Sequence, residues 1–583
     1  MSAFSNQSRS EGRFDPAIAI GLILTAGLGL RLLGVSHGFS DFVTGDERVV
    51  LRDAVHFITA ATLQPQHFNY PAFYSYLYSA AVASAYLVGM IPDVGTSADS
   101  VLFAHLFAPT QIALVGRALN VLAGAGLIAV AYLLGQYAYG RSVAFGGAIF
   151  AAVSLALIHH SRFALPDMMM ALLAAASCAF VVAFLESGGT LVCTCAGLML
   201  GLAVSTKYNA GFVLLGFLVA VILHSRTLAR REATAFCLRS VTLFGLAGLI
   251  GFLFGSPYWL MSFGEYVQAV LNVASNLQFS LHAVEWPRLM ALWSLVRQET
   301  VWGVMLIGGV LFAVTRRRDV DLLLLVVILP AFLYIGALPK GSIHYTIFLY
   351  PLGGVLAARM LTELTASSSS WVRVALRAGI SMPQLWTGIA DEARLGQADY
   401  RSQAREWIEA NIPDGSIIGV YRIDYTPPLK GDIHRNFLTR QIEANRGRPE
   451  VVAELQSLRR RFPIYTQLTL EYFDEQALVP SAYRDRVDLR DPKTLETFRR
   501  RWMNYDELKQ WKVTHMILPS AGYTRFFTGH TPAAGTAAHH HHQRSKSYIE
   551  QFFGQDDPRY RVVAEFVGGT EENPKKITAV EVS

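Results

Sequence analysis

The chain has 583 residues, 52% of them hydrophobic and only 16% charged, with four cysteines and a net charge of +6. A soluble enzyme carries about a quarter charged residues, so this balance excludes an ordinary multidomain soluble protein. The deficit is uneven: 39 of the first 390 residues are charged (10%) against 55 of the last 193 (28%). That contrast predicts a membrane domain over 1–390 and a soluble domain over 391–583. Of the net charge, +5 belongs to the apolar part, so it is not a nucleic-acid signature. Cys178, Cys193, Cys195 and Cys237 fall in apolar runs without CxxC spacing, and no disulfide or zinc site is expected.

Arg9 and Arg13 precede an apolar run, Ala17–Leu33. No small-residue cleavage site follows it, so it reads as a first span with a cytoplasmic start. Further spans are predicted near 113–136, 143–160, 168–186, 190–206, 208–224, 234–255, 297–315, 320–338 and 345–364. With that set, Arg141, then Arg226, Arg230 and Arg231, then Arg316–Arg318 all face the cytoplasm. The stretch 71–91 opens with Pro71 and carries Tyr74, Tyr76, Tyr78 and Tyr86, which suits an interfacial or re-entrant segment. A weaker stretch, 371–389, contains Arg373 and Arg377. Counted as a span, it gives about eleven spans in all and places 391–583 outside the cytoplasm. The loops 37–112, 161–167, 256–296 and 339–344 then share the outer face.

In the tail, 398–412 reads as an amphipathic helix with Ala404, Trp407 and Ile408 inward, stopped by Pro413. Ser416–Tyr421, Val513–Leu518 and Arg561–Val567 read as strands, and Ser547–Phe553 as a helix. A small α/β domain with a long charged excursion over 422–510 is expected. The His539–His542 run lies in Ala/Gly/Thr-rich sequence and reads as a loop. No P-loop, GxGxxG or internal repeat is evident, so the chain is not by itself an ATP-driven pump.

The charged residues that could carry chemistry gather on the outer face. Asp46 and Glu47 in the first outer loop, and Asp167 after the 143–160 span, end on one face. Carboxylates beside apolar spans are costly and mark function or pairing. The plainer alternative is that Asp46 and Glu47 only cap the segment Arg48–Ala61. Cations lie on or near the same face: Lys207 in STKYNAG, Lys340 and His344 in PKGSIHY, Arg162 in SRFALPD, and Arg117 in VGRALN. Lys207 alternatively snorkels, and Arg117 alternatively forms a structural pair with a carboxylate. Together these residues describe a polar, outward-facing cleft.

In order along the chain stand GDE, NYPAFYSYLY, GRALNVLAG, HHSRFALPD, STKYNAG and GSIHYTIFLYPL. This series resembles the GT-C fold glycosyltransferases that use polyprenol-phosphate sugars. Specifically, it is similar to the dolichyl-phosphate-mannose-protein mannosyltransferase family and its bacterial aminoarabinose-transferase relatives, over about residues 15–365. The resemblance implies inverting transfer from a lipid-linked sugar phosphate at the extracytoplasmic face of a prokaryotic inner membrane. It implies Asp46 as catalytic base, Glu47 as its partner, Asp167 as the second-loop acid and Arg117 as the arginine of the following span. Tyr70 stands where the aminoarabinose branch would place a lysine, which leaves the sugar open.

The reaction needs a carboxylate to take the acceptor's proton, and cations or a metal where the leaving phosphate gains charge. Arg117, Arg162, Lys207, Lys340, His344 and Tyr345 are candidates for that role, with Tyr70 and Tyr74 lining the sugar pocket or lipid entrance. A divalent ion, magnesium or manganese, held by Asp46, Glu47 and Asp167 is also open. The expected partners are a polyprenyl-phosphate sugar, membrane lipid and an extracytoplasmic acceptor (protein, lipid or glycan). Two other readings are a multi-span secondary transporter or lipid flippase, and a membrane-anchored binding or assembly protein.

Overall fold

The structure, a computed structural model, describes residues 15–37, 45–94, 96–278, 287–338, 343–395, 399–421, 426–470, 504–528, 531, 534–535, 537–553, 557–570 and 573–583. The first part is a helical bundle. Its helices are α1 (Pro16–Leu32), α2 (Gly45–Thr59), α3 (Phe73–Leu87), α4 (Ser97–Phe107), α5 (Pro109–Tyr139), α6 (Arg141–Val153), α7 (Leu155–Ser161), α8 (Pro166–Ser187) and α9 (Thr190–Val204). They continue with α10 (Val213–Ser225), α11 (Arg230–Gly255), α12 (Tyr258–Met261), α13 (Phe263–Gln278), α14 (Pro287–Arg316), α15 (Asp319–Ile335), α16 (Tyr350–Leu364) and α17 (Ser370–Leu395).

Among the described residues six helical segments are long and apolar enough to cross a membrane, or seven if α6 and α7, bent by 54°, count as one. This is an integral membrane protein. The helices α1 and α9 are apolar but have 17 and 15 residues, below the roughly 20 needed to cross straight. The expected eleven spans are therefore not all of full length. The 15-residue α3 is also too short to cross. It packs Tyr74 and Tyr78 against α5, with their hydroxyls on the carbonyls of Gly116 (3.1 Å) and Ile112 (2.9 Å).

Small residues let the helices approach closely. A Cβ on Gly201 would lie 2.0 Å from the carbonyl oxygen of Gly248, and one on Gly197 2.4 Å from that of Phe244, so α9 and α11 meet backbone to backbone. One end of the bundle holds a polar knot. There Arg359 pairs with Asp321, Tyr139 donates to the same carboxylate at 2.6 Å, and Arg318 reaches Glu363 at 3.2 Å. Arg141, Arg230 and Arg316 sit at helix termini on that end. The opposite end carries the candidate site.

The tail is a small α/β domain built on helices α18 (Tyr400–Asn411), α19 (Asp432–Ala444), α20 (Pro449–Arg461), α21 (Tyr505–Gln510) and α22 (Ala537–Glu550). Its strands are β1 (Ile417–Tyr421), β2 (Thr466–Leu470), β3 (Val513–Pro519), β4 (Tyr560–Thr570) and β5 (Asn573–Val582), in the order β2-β1-β3-β5-β4. Strands β1, β2 and β3 run parallel; β5 runs antiparallel to β3 and β4. The expected charged excursion over 422–510 contains α19, α20, β2 and α21. The His539–His542 run lies in a helix rather than a loop, where His542 is buried with its ring 5.6 Å from that of Phe526.

The tail docks on α4. Phe107 meets the rings of His434, Phe437 and Phe462 at 5.3–6.4 Å. The carbonyl of Leu106 accepts from His434 Nε2 at 3.1 Å and from Lys430 Nζ at 3.4 Å. Because α4 leads straight into α5 at the site end, the tail lies at that end too.

Candidate active site

The site is assembled where the N-termini of α2 and α8 meet the turn between α9 and α10. Asp46 and Glu47 occupy the first turn of α2, where an acid is favoured by the helix dipole. They part company there. Asp46 is exposed, whereas Glu47 is fully buried.

Arg117 on α5 grips Glu47 with two hydrogen bonds, Nε to Oε1 at 2.9 Å and Nη2 to Oε2 at 3.0 Å. The backbone N–H of Ala164 adds a third at 2.8 Å. Arg117 Nη1 also donates to the carbonyls of Val35 and His37, at 2.9 and 2.7 Å. Burial alone would raise the Glu47 carboxyl, but Arg117 and the Ala164 amide outweigh it and hold it below the usual range. One i,i+3 step along α5, Asn120 donates to the carbonyls of Phe163 and Leu165 at 2.5 and 2.6 Å. Together these contacts tie α2, α5, the segment after α1 and the 162–165 loop into one clamp.

A second buried pair stands beside it. Lys207 Nζ donates to Asp167 Oδ1 at 2.7 Å, and both residues are under 5% exposed. The ammonium sits 4.7 Å from the Tyr345 ring centroid and 5.6 Å from that of Tyr70, within cation–π range. The His344 ring lies 4.2 Å from Tyr345 and 5.9 Å from His160. The phenol of Tyr70 is pushed up by burial, then by Tyr345, Asp167 and Asp46. Asp167 and Asp46 also both act on Tyr345. The exposed Asp46 carboxylate is thus near enough to act on both tyrosines beside the Lys207 ammonium.

The structure thus brings together Asp46, Asp167, Lys207, His344, Tyr345 and Tyr70. It directs the others elsewhere. Arg117 closes on Glu47, so neither side chain opens to the cleft. Arg162 is buried with Nη2 on the Leu30 carbonyl at 3.1 Å, toward α1. Tyr74 is committed to the α3–α5 contact, and Lys340 lies outside the described residues. His160 and Asn120 join the arrangement unforeseen. The spacing of Arg117 and Asn120 on one helix face carried a signal for Asn120, whereas nothing in the order of residues set His160 apart from His159.

Residues 94–262 match the sequence model of the dolichyl-phosphate-mannose-protein mannosyltransferase family. No curated protein matches the chain. The crystal structure of Cupriavidus metallidurans ArnT bound to undecaprenyl phosphate is similar with a TM-score of 0.54 and 12% identity, covering 97% of this chain and 98% of that one. The apo oligosaccharyltransferase of Archaeoglobus fulgidus gives 0.52 and 12%, covering 95% and 80%. The chain has the GT-C fold.

The stretch of GT-C sequence matched by the family includes Arg117, Asn120, Asp167 and Lys207, while Asp46 and Glu47 lie ahead of it. Of the three carboxylates considered for a divalent ion, two are engaged by cations. Glu47 is taken by Arg117 and Asp167 by Lys207. Among the described residues no group of three or more His, Cys, Asp or Glu side chains is placed to hold a metal.

Proposed function

We propose that the chain is a membrane glycosyltransferase that moves a sugar from a polyprenyl-phosphate-linked donor to an acceptor, with inversion and with Asp46 as general base. The observation that carries this reading is an exposed carboxylate, Asp46, close enough to act on Tyr70 and Tyr345, the two rings beside the buried Lys207 ammonium. The mannosyltransferase match over 94–262 and the likeness to a GT-C protein bound to undecaprenyl phosphate support it.

In this mechanism the acceptor hydroxyl or amine attacks the anomeric carbon while Asp46 takes its proton. The bond from that carbon to the phosphate oxygen breaks, and the polyprenyl phosphate leaves with the electron pair. Lys207 and the His344–His160 pair receive the growing charge, and Tyr70 and Tyr345 flank the sugar. Asp167 holds Lys207 in place between the two rings. The Glu47–Arg117 clamp sets Asp46 through the adjacent residue of α2; both are positioning residues here.

The site end and the tail are assigned to the extracytoplasmic side of a prokaryotic inner membrane. Support comes from the basic clusters at the opposite end and from the docking of the tail on α4. Purified protein given labelled polyprenyl-phosphate sugar and a panel of protein, lipid and glycan acceptors should form an inverted glycosidic product. Passage of intact lipid-linked sugar across proteoliposomes without such a product would favour a flippase instead.

A further inference from the structure

The helix break between α6 and α7 is held by two opposite charges within the bundle. At the C-terminus of α6, Arg31 of α1 is fully buried and donates to the carbonyls of Ala151 (2.7 Å) and Ala152 (3.2 Å). At the start of α7, Glu299 of α14 is fully buried and accepts from the Ala156 amide (2.7 Å), the Leu155 amide (3.3 Å) and the Ser154 hydroxyl (2.7 Å). Each charge thus meets the helix terminus of opposite sign, and the backbone groups released by the bend find partners.

Glu299 is itself set from outside the break. α14 consists of two helices meeting at Thr300, a non-glycine residue at φ 46° and ψ −123°. That conformation is rare for a β-branched residue and persists only where its surroundings enforce it. Thr300 Oγ1 donates to Gln384 Oε1, and Gln384 Nε2 donates to Glu299 Oε2 at 2.6 Å. Gln384 is fully buried and belongs to α17, the helix that leads into the tail domain.

The segment downstream of the break connects Glu299 to the site. α7 is seven residues long and ends in His160 and Ser161; Arg162 follows, then the loop fastened by Glu47 and Asn120, then Asp167. One end of this segment is therefore fixed by the clamp at the site and the other by Glu299.

We infer that Glu299, with Gln384, is a positioning residue that sets α7 and through it the 162–165 loop that leads to Asp167 at the start of α8. This inference rests on the transferase reading above for its kinetic consequence, though not for its structural one.

The test uses the full-length protein in lipid nanodiscs as wild type, Glu299→Gln, Gln384→Leu and the double exchange Glu299→Gln with Gln384→Glu. Amide exchange over residues 155–165 and turnover per folded molecule are both measured. Glu299→Gln should speed exchange at Leu155, Ala156 and 162–165 by about ten- to hundredfold, the scale of a lost hydrogen bond to a charged group. Turnover should fall by a similar factor, and Gln384→Leu should give a smaller change of the same kind. The double exchange returns a carboxylate to the Glu299–Gln384 contact and should restore part of both.

Unchanged exchange over 155–165 would overturn the inference. So would exchange raised evenly over the whole chain with normal turnover per folded molecule, because Glu299 would then serve stability alone. If the wild type itself transfers no sugar, the transferase reading fails while the exchange pattern still decides this one.

Discussion

Arg117 and Glu47, 70 residues apart in the chain, face each other through two parallel hydrogen bonds of 2.9 and 3.0 Å in a fully buried setting. A fork-to-fork pair of this kind fixes direction as well as distance. Its effect is to turn the first helical turn of α2 so that Glu47 points inward and Asp46 outward.

The clamp predicts a large asymmetry between breaking and keeping the pair. Glu47→Ala leaves a buried guanidinium uncompensated and should cost about 3–5 kcal/mol of stability. Arg117→Lys should not rescue function, since an ammonium cannot make the bidentate contact. Unfolding in detergent, read beside transfer activity, checks both.

Lys207 and Asp167 allow stability and function to be separated. Lys207→Met alone orphans a buried carboxylate and should cost about 3–5 kcal/mol. Combining it with Asp167→Asn removes both charges, so the double variant should regain most of that stability without regaining transfer. A double-mutant cycle on unfolding and on turnover measures the difference. Recovery of turnover in the double variant would remove Lys207 from the phosphate role.

The tail's grip on α4 should depend on pH. His434 Nδ1 accepts from the Gly431 amide at 3.0 Å and Nε2 faces the Leu106 carbonyl, so the docked ring is neutral. Burial, and then Lys430, push it down to about 4, against about 6.5 in the unfolded chain. Between those values the unfolded state binds more protons, so stability falls as pH falls. Docking should therefore be intact at pH 7 and weaken from about 6.5 toward 4. Amide exchange at α4 and α19, followed against pH, should show this, and His434→Gln should flatten the profile.

Gly201 offers a packing test remote from the site. An added methyl would meet the Gly248 carbonyl oxygen at 2.0 Å, and backbone cannot swing aside as a side chain can. Gly201→Ala should lower the unfolding free energy by about 1–3 kcal/mol. Gly245 on the same α11, whose Cβ would meet nothing within 4 Å, should tolerate alanine.

The charged residues of the site were legible because charge is scarce in the first 390 residues. Asp167 and Lys207 each interrupt an apolar context, Asp46 lies in the polar loop after the first span, and the basic clusters sorted them to one end. Their pairings were not legible. Whether Arg117 serves a donor phosphate or Glu47 depends on the rotation of α5 against α2, which no local pattern encodes.

The break after Val153 was hidden for a related reason. Residues 143–158 are uninterrupted by charge, and the groups that stabilise the bend, Arg31 and Glu299, sit more than 100 residues away in either direction. In the tail, β1 and β3 were plain from their apolar runs. β5, which carries Lys575, Lys576 and Glu581, was not anticipated, and α19 and α20 bury few residues, Phe437, Leu438, Gln441 and Leu455, so their sequences read as part of the charged excursion.

The central claim is that Asp46 takes the proton from the acceptor. Asp46→Asn removes the charge at nearly constant side-chain shape and leaves the hydrogen bonds of Glu47 to Arg117 and Ala164 in place. The deciding measurement is sugar transfer from polyprenyl-phosphate donor by purified Asp46→Asn protein, with unfolding measured on the same sample. The account predicts loss of turnover by about 10²–10⁴-fold, the scale of general base catalysis, with unfolding near that of the wild type. Full turnover by a folded Asp46→Asn protein would contradict it.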